Sequence, residues 1–283
     1  MSSPVHELDG LAARARDGDG AALTALIEGI QDDVYRLSLR MLWHPHDAED
    51  AAQEILFKIV TSVSTFRGES SFRTWALRVA SNHLLNVRRG RLEEQRMTFE
   101  SFGEDLADGL VDPPGPRSRE ADQGLLEEEV KIGCTRGMLL CLDRDERLAY
   151  ILGDVFELRS DEAGLVLDIS PAAFRKRLSR ARERLRSFML AHCGLVSDRA
   201  ACRCARRVPA AVERGRVDPD HLLFAGHGRP GPIVLPVLEA VGEMERLHEI
   251  AAIHRSQPMV ETPERVAAGV RSAINMITQR LLS

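Results

Sequence analysis

The chain has 283 residues, 44% of them apolar, 29% charged and only 5% aromatic. That balance describes a water-soluble globular protein of two or three small domains, and a formal charge of −5 excludes a uniformly basic nucleic-acid binder. The opening MSSPVHELDG has no basic region followed by an apolar run, so no secretory signal is expected. No stretch reaches the apolar length of a membrane span. The five cysteines form no paired framework over the first two thirds of the chain, which points to a reducing cytoplasm.

Helical periodicity dominates and no alternating strand stands out. Residues 8–43 read as two helices broken at DGDG, with Leu23, Leu26, Ile27, Ile30, Val34, Leu37 and Met41 on one apolar stripe. After the turn WHPHD, Asp47 is the expected N-cap of the next helix, with Glu49 and Asp50 where the helix dipole favours acids. Ala48, Ala51, Ala52, Ile55, Ile59 and Val63 form its buried face. Another helix starts at Ser70 or Ser71 and ends near Gly90.

Residues 99–129 are acidic and rich in Pro and Gly, and read as a flexible linker. A second helical block spans 130–190. Residues 191–283 form a mainly helical extension with amphipathic helices near 233–255 and 263–282, the last with Thr262 as cap and Pro263 at its first position. The expected architecture is therefore all-α: a helical domain over 1–98, a linker over 99–129, a helix-turn-helix domain over 130–190, and the extension.

Charge alternates along the chain. Residues 65–96 hold seven Arg against three Glu, residues 99–129 ten acids against two Arg, and residues 171–190 seven Arg or Lys against Glu183 alone. Basic clusters on helices are the electrostatic footprint of phosphate contact.

Within 160–188, SDEAGLVLDISPAAFRKRLSRARERLRSF, Ser160 opens a short helix, Asp168 occupies a turn, Ser170 caps the next helix and Pro171 takes its first position. Phe174, Leu178, Ala181, Leu185 and Phe188 make one buried stripe. Such a pair of helices places the N-terminal end of the second in the major groove. Small Ala172 and Ala173 permit close approach beside Ser170, Arg175 and Lys176 reach bases or phosphates, and Arg177 and Arg180 are better placed for phosphates.

The stretch FRGESSFRTWALRVASNHLLNVRRGR, residues 66–91, combines aromatics with cations. Single-stranded DNA is held by flat apolar surfaces for the bases and cations for the backbone. Arg67 and Ser70 in the loop, with Arg73, Arg78, Asn82, Asn86, Arg88 and Arg89 beyond it, suit that task. Phe72 and Trp75 also fall on the apolar stripe and serve equally well as core.

In order and spacing, DAEDAAQEILFKIV, FRGESSFRTWALRVASNHLLNVRR, and LCLDRDERLAYILGDVFELRSDEAGLVLDISPAAFRKRLSRARERLR resemble the extracytoplasmic-function (ECF) sigma factors of the bacterial sigma-70 class, over roughly residues 8–190. The resemblance implies a promoter-specificity subunit that binds core RNA polymerase, recognises promoter DNA and helps melt it. It implies that Asp50, Gln53, Glu54 and Lys58 face the polymerase clamp, that residues 66–89 hold the melted −10 element, and that the helix-turn-helix reads the duplex −35 element. The acidic linker corresponds to the connector that threads through polymerase, and an anti-sigma factor is a further partner the family brings. Two departures are Asp168 where members usually have Gly and Gly164 in place of a typical Ala.

His192, Cys193, Cys202 and Cys204 fall close together in the extension. Four N/S ligands suit structural zinc, although C-x8-C-x-C is not the common spacing. A redox-switched thiol pair and plain buried cysteines remain alternatives, and Arg203, Arg206 and Arg207 would lower a nearby thiol pKa. The terminal helices are expected to pack on the second domain or the linker and tune activity in cis. No nucleophile–base pair, phosphate-binding Gly loop or paired-carboxylate motif occurs in a matching context, so no enzyme and no required cofactor is expected. Two rival readings are a polymerase-independent helix-turn-helix regulator, which has no use for residues 47–91, and a zinc or redox sensor centred on the cysteines.

Overall fold

The computed structural model describes residues 4–87, 97–112, 121–225, 250–256 and 260–282. Their secondary structure is helical with no named strand, and one isolated bridge joins Cys193 to Cys202. In chain order the helices are α1 (Pro4–Arg16), α2 (Gly20–Leu42), α3 (Pro45–Ser62) and α4 (Phe72–Asn86). Next come α5 (Phe99–Ala107), α6 (Ala121–Leu140), α7 (Arg144–Tyr150), α8 (Ser160–Leu167) and α9 (Pro171–His192). The extension adds α10 (Cys204–Glu213) and α11 (Glu264–Leu282).

Contacts divide the chain into two compact units. One holds Met1–Gly90, Leu158–Arg175 and Val260–Ser283, and the other holds Arg91–Glu157 and Lys176–Met259. This differs from the expected domain at 130–190, because α8 and the start of α9 group with the N-terminal helices.

In the first unit, the Asp19 side chain caps α2 by accepting from the Ala22 N–H at 3.0 Å and also holds Arg14. The α2 stripe Leu23, Leu26, Ile27, Ile30, Val34, Leu37 and Met41 is buried, as its spacing predicts. Helix α3 starts earlier than the Asp47 cap would place it. Pro45 takes its first position, where a missing N–H costs nothing, and His44 caps it through Nδ1 at 3.2 Å from the His46 N–H. Ala48, Ala51, Ala52, Ile55, Leu56, Ile59 and Val60 are buried, which turns Asp50, Gln53, Glu54 and Lys58 outward.

Ser71 caps α4, accepting from the Thr74 N–H at 3.2 Å, and the Phe72 N–H donates to Asp9 of α1 at 2.7 Å. The helix ends at Asn86 rather than near Gly90. Helix α8 packs on α4, and α11 packs on α3 and α2. For α11 the last contact corrects the expectation that the terminal helices rest on the second domain or the linker, whereas residues 250–255 do meet that domain, His254 edge-on to Tyr150 at 5.3 Å and Arg255 donating to the Asp154 carbonyl at 2.7 Å. The expected helix near 233–255 lies outside the described residues up to 249, and residues 250–255 are helical.

In the second unit, the supposed linker contains helix α5, and α6 is already helical from Ala121. Local chemistry explains the difference. Thr98 and Ser101 form a reciprocal capping box, and Phe102 and Leu106, four apart, are buried. Phe102 stacks on Phe188 of α9 with centroids 5.6 Å apart. The acids are not simply solvated either. Asp105 accepts from Arg207, Arg214 and Arg216; burial pulls its carboxyl upward, but Arg216 first, then Arg207 and Arg214, hold it below its ordinary value.

Arg147 is almost wholly buried and closes the C-terminal end of α6. Its guanidinium donates to the carbonyls of Leu139 (2.9 Å) and Leu140 (3.3 Å) in the last turn, where helix carbonyls lack intrahelical partners, and of Leu142 (3.1 Å) just beyond it. Glu129 accepts the backbone N–H groups of Leu223, Phe224 and Ala225 at 2.7–2.9 Å, fastening the extension to α6.

Phe72 has no exposed surface and meets the rings of Phe66 at 5.5 Å and Trp75 at 5.4 Å. Replacing it with Ala removes the centre of that cluster and is expected to cost about 3–5 kcal/mol. Exposed Arg67→Ala should change stability by less than about 0.5 kcal/mol. Urea unfolding of the two variants checks the contrast.

Candidate nucleic-acid and protein interfaces

Four exposed residues of α3, Asp50, Gln53, Glu54 and Lys58, lie on one side because they recur at helical spacing. Half-exposed Phe57 stands among them, 49% accessible, an unusual exposure for a large apolar side chain. The face is not bare. The Lys58 Nζ lies 2.6 Å from His83 Nδ1, and burial followed by the Lys58 charge lowers the His83 pKa, so the neutral ring accepts this bond. Asp50 accepts from Arg265 of α11 at 3.0 Å, and Gln53 is pressed against Gly269.

The segment after α3 separates into core and surface. Phe66 and Phe72 are buried, so the core role prevails for these two rings, while Trp75 is half-buried and keeps one side on the surface. Arg67 is exposed and Ser70 half-buried at the mouth of a cleft also lined by Thr74, Trp75, Arg78 and Leu165. Among the α4 residues expected to face DNA, Arg78, Asn82 and Asn86 are exposed. Arg73 is not free. Its Nε donates to Asp33 at 2.6 Å in a half-buried ion pair that ties α4 to α2. Arg88 and Arg89 lie outside the described residues.

Helix α8 covers part of the same surface. Thr74 Oγ1 donates to Glu162 at 3.1 Å, and Arg78 pairs with Asp168 at 3.3 Å. Asp168 carries the left-handed turn (φ 55°, ψ 43°), the conformation its short polar side chain tolerates. The Ile169 N–H then returns to the Gly164 carbonyl at 3.0 Å. A Cβ on Gly164 would meet the Ile169 carbonyl oxygen at 2.8 Å, backbone that cannot yield. Glycine at 164 is thus required by the tight turn, rather than a simple loss of helix propensity.

Helix α9 begins as expected, with Ser170 Oγ accepting from the Ala173 N–H at 3.2 Å. Ser170, Ala172, Arg175 and Lys176 are exposed and Ala173 is half-buried. Arg175 donates to Ser160 at 3.2 Å. Farther along, acids occupy the arginines. Arg177 pairs with Asp145 at 3.2 Å, Arg180 with Glu146 at 3.5 Å, Arg182 with Asp154, and Arg184 with Glu146 at 2.6 Å. The uncommitted positive charge therefore concentrates at the N-terminal end.

The cysteine expectation needs correction. The His192 ring packs 4.8 Å from the Phe188 centroid and so close to Gly103 that a Cβ there would meet it at 2.8 Å. Its place near Cys193, Cys202 and Cys204 is taken by Cys134 of α6, whose thiol is near enough to interact with all three. Nothing in local spacing marks Cys134, which lies mid-helix far upstream. Among the described residues no group of three or more His, Cys, Asp or Glu side chains is arranged to hold a metal ion. Burial dominates every one of these thiols and raises its pKa, to about 12 for Cys204, so neighbouring arginines do not make them reactive.

Two known families match separate parts of this chain. The Sigma-70 region 2 family matches residues 26–92, and the Sigma-70, region 4 family matches residues 132–185. These two regions define a sigma-70-type transcription initiation factor. The ECF RNA polymerase sigma factor SigE of Mycolicibacterium smegmatis is 29% identical over 194 residues, covering 67% of this chain and 71% of that protein. SigW of Bacillus subtilis is 26% identical, covering 61% of this chain and 91% of that protein. SigC of Mycobacterium tuberculosis is 30% identical over 188 residues, covering 65% of this chain and 92% of that protein. The chain belongs to the ECF group of RNA polymerase sigma factors, with an extension beyond the matched regions. No described helix is long and apolar enough to cross a membrane.

The raised thiols set a pH dependence. Cys141 and Cys204 move from an ordinary 9.0 to about 12, chiefly by burial. A folded-state pKa above the unfolded value means the folded chain holds the proton more tightly. The stability this contributes is whole below about pH 9 and is lost as pH rises towards about 12. Urea midpoints should fall across that window, and iodoacetamide at about pH 8 should label the native chain far more slowly than the unfolded one.

Proposed function

We propose a division of labour among the faces of this sigma factor. The exposed α3 residues Asp50, Gln53, Glu54 and Lys58 dock on core RNA polymerase. The cleft at Arg67, Ser70 and Trp75, with Arg78, Asn82 and Asn86 along α4, holds the −10 strand once it is single-stranded. The start of α9, from Ser170 to Lys176, enters the major groove of the −35 duplex. Arg177 exchanges its exposed partner Asp145 for a phosphate, a cheap exchange because surface ion pairs contribute little, while Arg180, held by the buried Glu146, meets phosphate with the exposed part of its own side chain. Arg73 acts indirectly, by fixing α4 against α2.

The observation that carries this reading is the distribution of uncommitted cations. On α9 they concentrate where a recognition helix meets base edges, while α4 offers exposed Asn82 and Asn86 and an Arg78 whose surface pair with Asp168 is readily exchanged, next to a half-buried Trp75. Melting follows from differential binding: an aromatic and polar cleft gains nothing from stacked bases but gains about 1–3 kcal/mol for each base that stacks in it. No step in this division of labour calls on a cofactor. Action beside polymerase places the protein in the cytoplasm. An anti-sigma factor, a partner characteristic of the group, would compete for these same faces.

Run-off transcription with purified core polymerase tests the assignment. Arg175→Ala with Lys176→Ala should lower affinity for a −35 duplex about tenfold or more, whatever the state of the −10 region. Arg78→Ala with Asn82→Ala should instead reduce output from duplex promoters and recover on a template already unpaired at −10. Equal losses on both templates for both variants would overturn the division.

A further inference from the structure

Helix α11 lies along the face that the proposed function gives to polymerase. Three contacts hold it there. Asp32 of α2 accepts from both the N–H (2.9 Å) and the hydroxyl (2.7 Å) of Thr262, so this residue anchors the helix start to α2 instead of capping it. Arg265 bridges Glu49 at 2.9 Å and Asp50 at 3.0 Å. Gly269 lets the two helices approach so closely that a Cβ would stand 2.2 Å from Gln53 Nε2. Beneath these contacts, Val266, Ala267, Val270 and Ile274 are buried at helical spacing.

The residues under and beside α11 are those that a docked partner would need. Asp50 and Gln53 touch it directly, and Glu54, Phe57 and Lys58 line the groove beside Gly269, Val270 and Ala273. Two occupants cannot share that groove. We propose that α11 is a tethered competitor for the docking face of α3, so that the chain carries its own anti-sigma element and must release α11 before it binds polymerase. This inference rests on the docking role given to α3 above.

The physics favours a reversible latch. The Arg265 bridge is exposed, 52% accessible on the Arg side, and such pairs contribute little and are screened by salt. The apolar stripe is short, and among its described members five residues are buried, two of them alanines. Tethering compensates, because a linked element acts at millimolar effective concentration without tight intrinsic binding. If the closed form holds about nine molecules in ten, apparent affinity for polymerase falls about tenfold, since only the open fraction competes.

Three full-length chains test this. Arg265→Glu reverses the bridging charge. Arg265→Glu with Val266→Asp and Val270→Asp removes the apolar anchors as well. Glu49→Arg with Arg265→Glu restores the pair in reverse, using an α3 residue outside the docking set. Affinity for core polymerase is measured by fluorescence anisotropy, and release of α11 by amide hydrogen exchange over residues 264–276. The triple variant should exchange faster and bind at least about tenfold tighter, the single variant should fall between, and the swapped pair should return to the parent value. Faster exchange with unchanged or weaker affinity would overturn the latch and leave α11 a plain structural helix. Failure of parent and variants alike to bind polymerase, with −35 duplex binding intact, would instead overturn the docking role of α3.

Discussion

Much of the molecule depends on the sidedness of α3. Seven of its residues, from Ala48 to Val60, are buried against the neighbouring helices. A residue in a helix cannot choose its direction independently of its neighbours, so this stripe dictates that Asp50, Gln53, Glu54, Phe57 and Lys58 face out together. The outward face is then available for one occupant at a time. Its mixed character, two acids, an amide, a lysine and an aromatic ring, suits a protein partner better than DNA. If this is the docking face proposed above, α11 and polymerase compete for it through apolar stripes and exposed charges of modest strength.

The arginines show a similar economy of means. A basic helix could spread its charge evenly and bind any phosphate backbone. Here Asp145, Glu146 and Asp154 neutralise the later arginines of α9, leaving Arg175 and Lys176 at the end that a groove-reading helix inserts. On α4, Asp33 holds Arg73 while Arg78, Asn82 and Asn86 stay on the surface. Acid pairing thus turns the diffuse positive field of α9 into a local one, so a chain of net charge −5 still offers a basic recognition end; on α4 Arg78 lies against Asp168, and that surface is polar rather than strongly positive.

Local features were readable from the sequence, and long-range ones were not. The α2 stripe, the Asp19 break, the Ser71 and Ser170 caps and the α9 stripe all depend on spacings of a few residues. The class of fold and the two conserved-order motif blocks followed from them. Most of the misplaced pieces come from pairing between distant residues, although the His44 cap of α3 and the Thr98–Ser101 capping box of α5 are local. Arg73 looked like a DNA contact until Asp33 claimed it, and His192 looked like a ligand until Phe188 and Gly103 enclosed it. Cys134 had no signal at all. The acidity of residues 99–129 masked a helix because the partners of Asp105 are arginines about a hundred residues later. Gly164 looked like a weakness and is instead the space that the Asp168 turn requires.

Riding on core polymerase, this chain is proposed to read a duplex with one helix and capture unpaired bases with another. Permanganate probing of a −35/−10 promoter measures that directly, because it oxidises thymines only where they are unstacked. Reactive thymines are expected within the −10 element when chain, core and promoter are all present, and none when either protein is omitted. Sequence-specific binding by the chain alone, with the −10 thymines silent even when core polymerase is added, would contradict it.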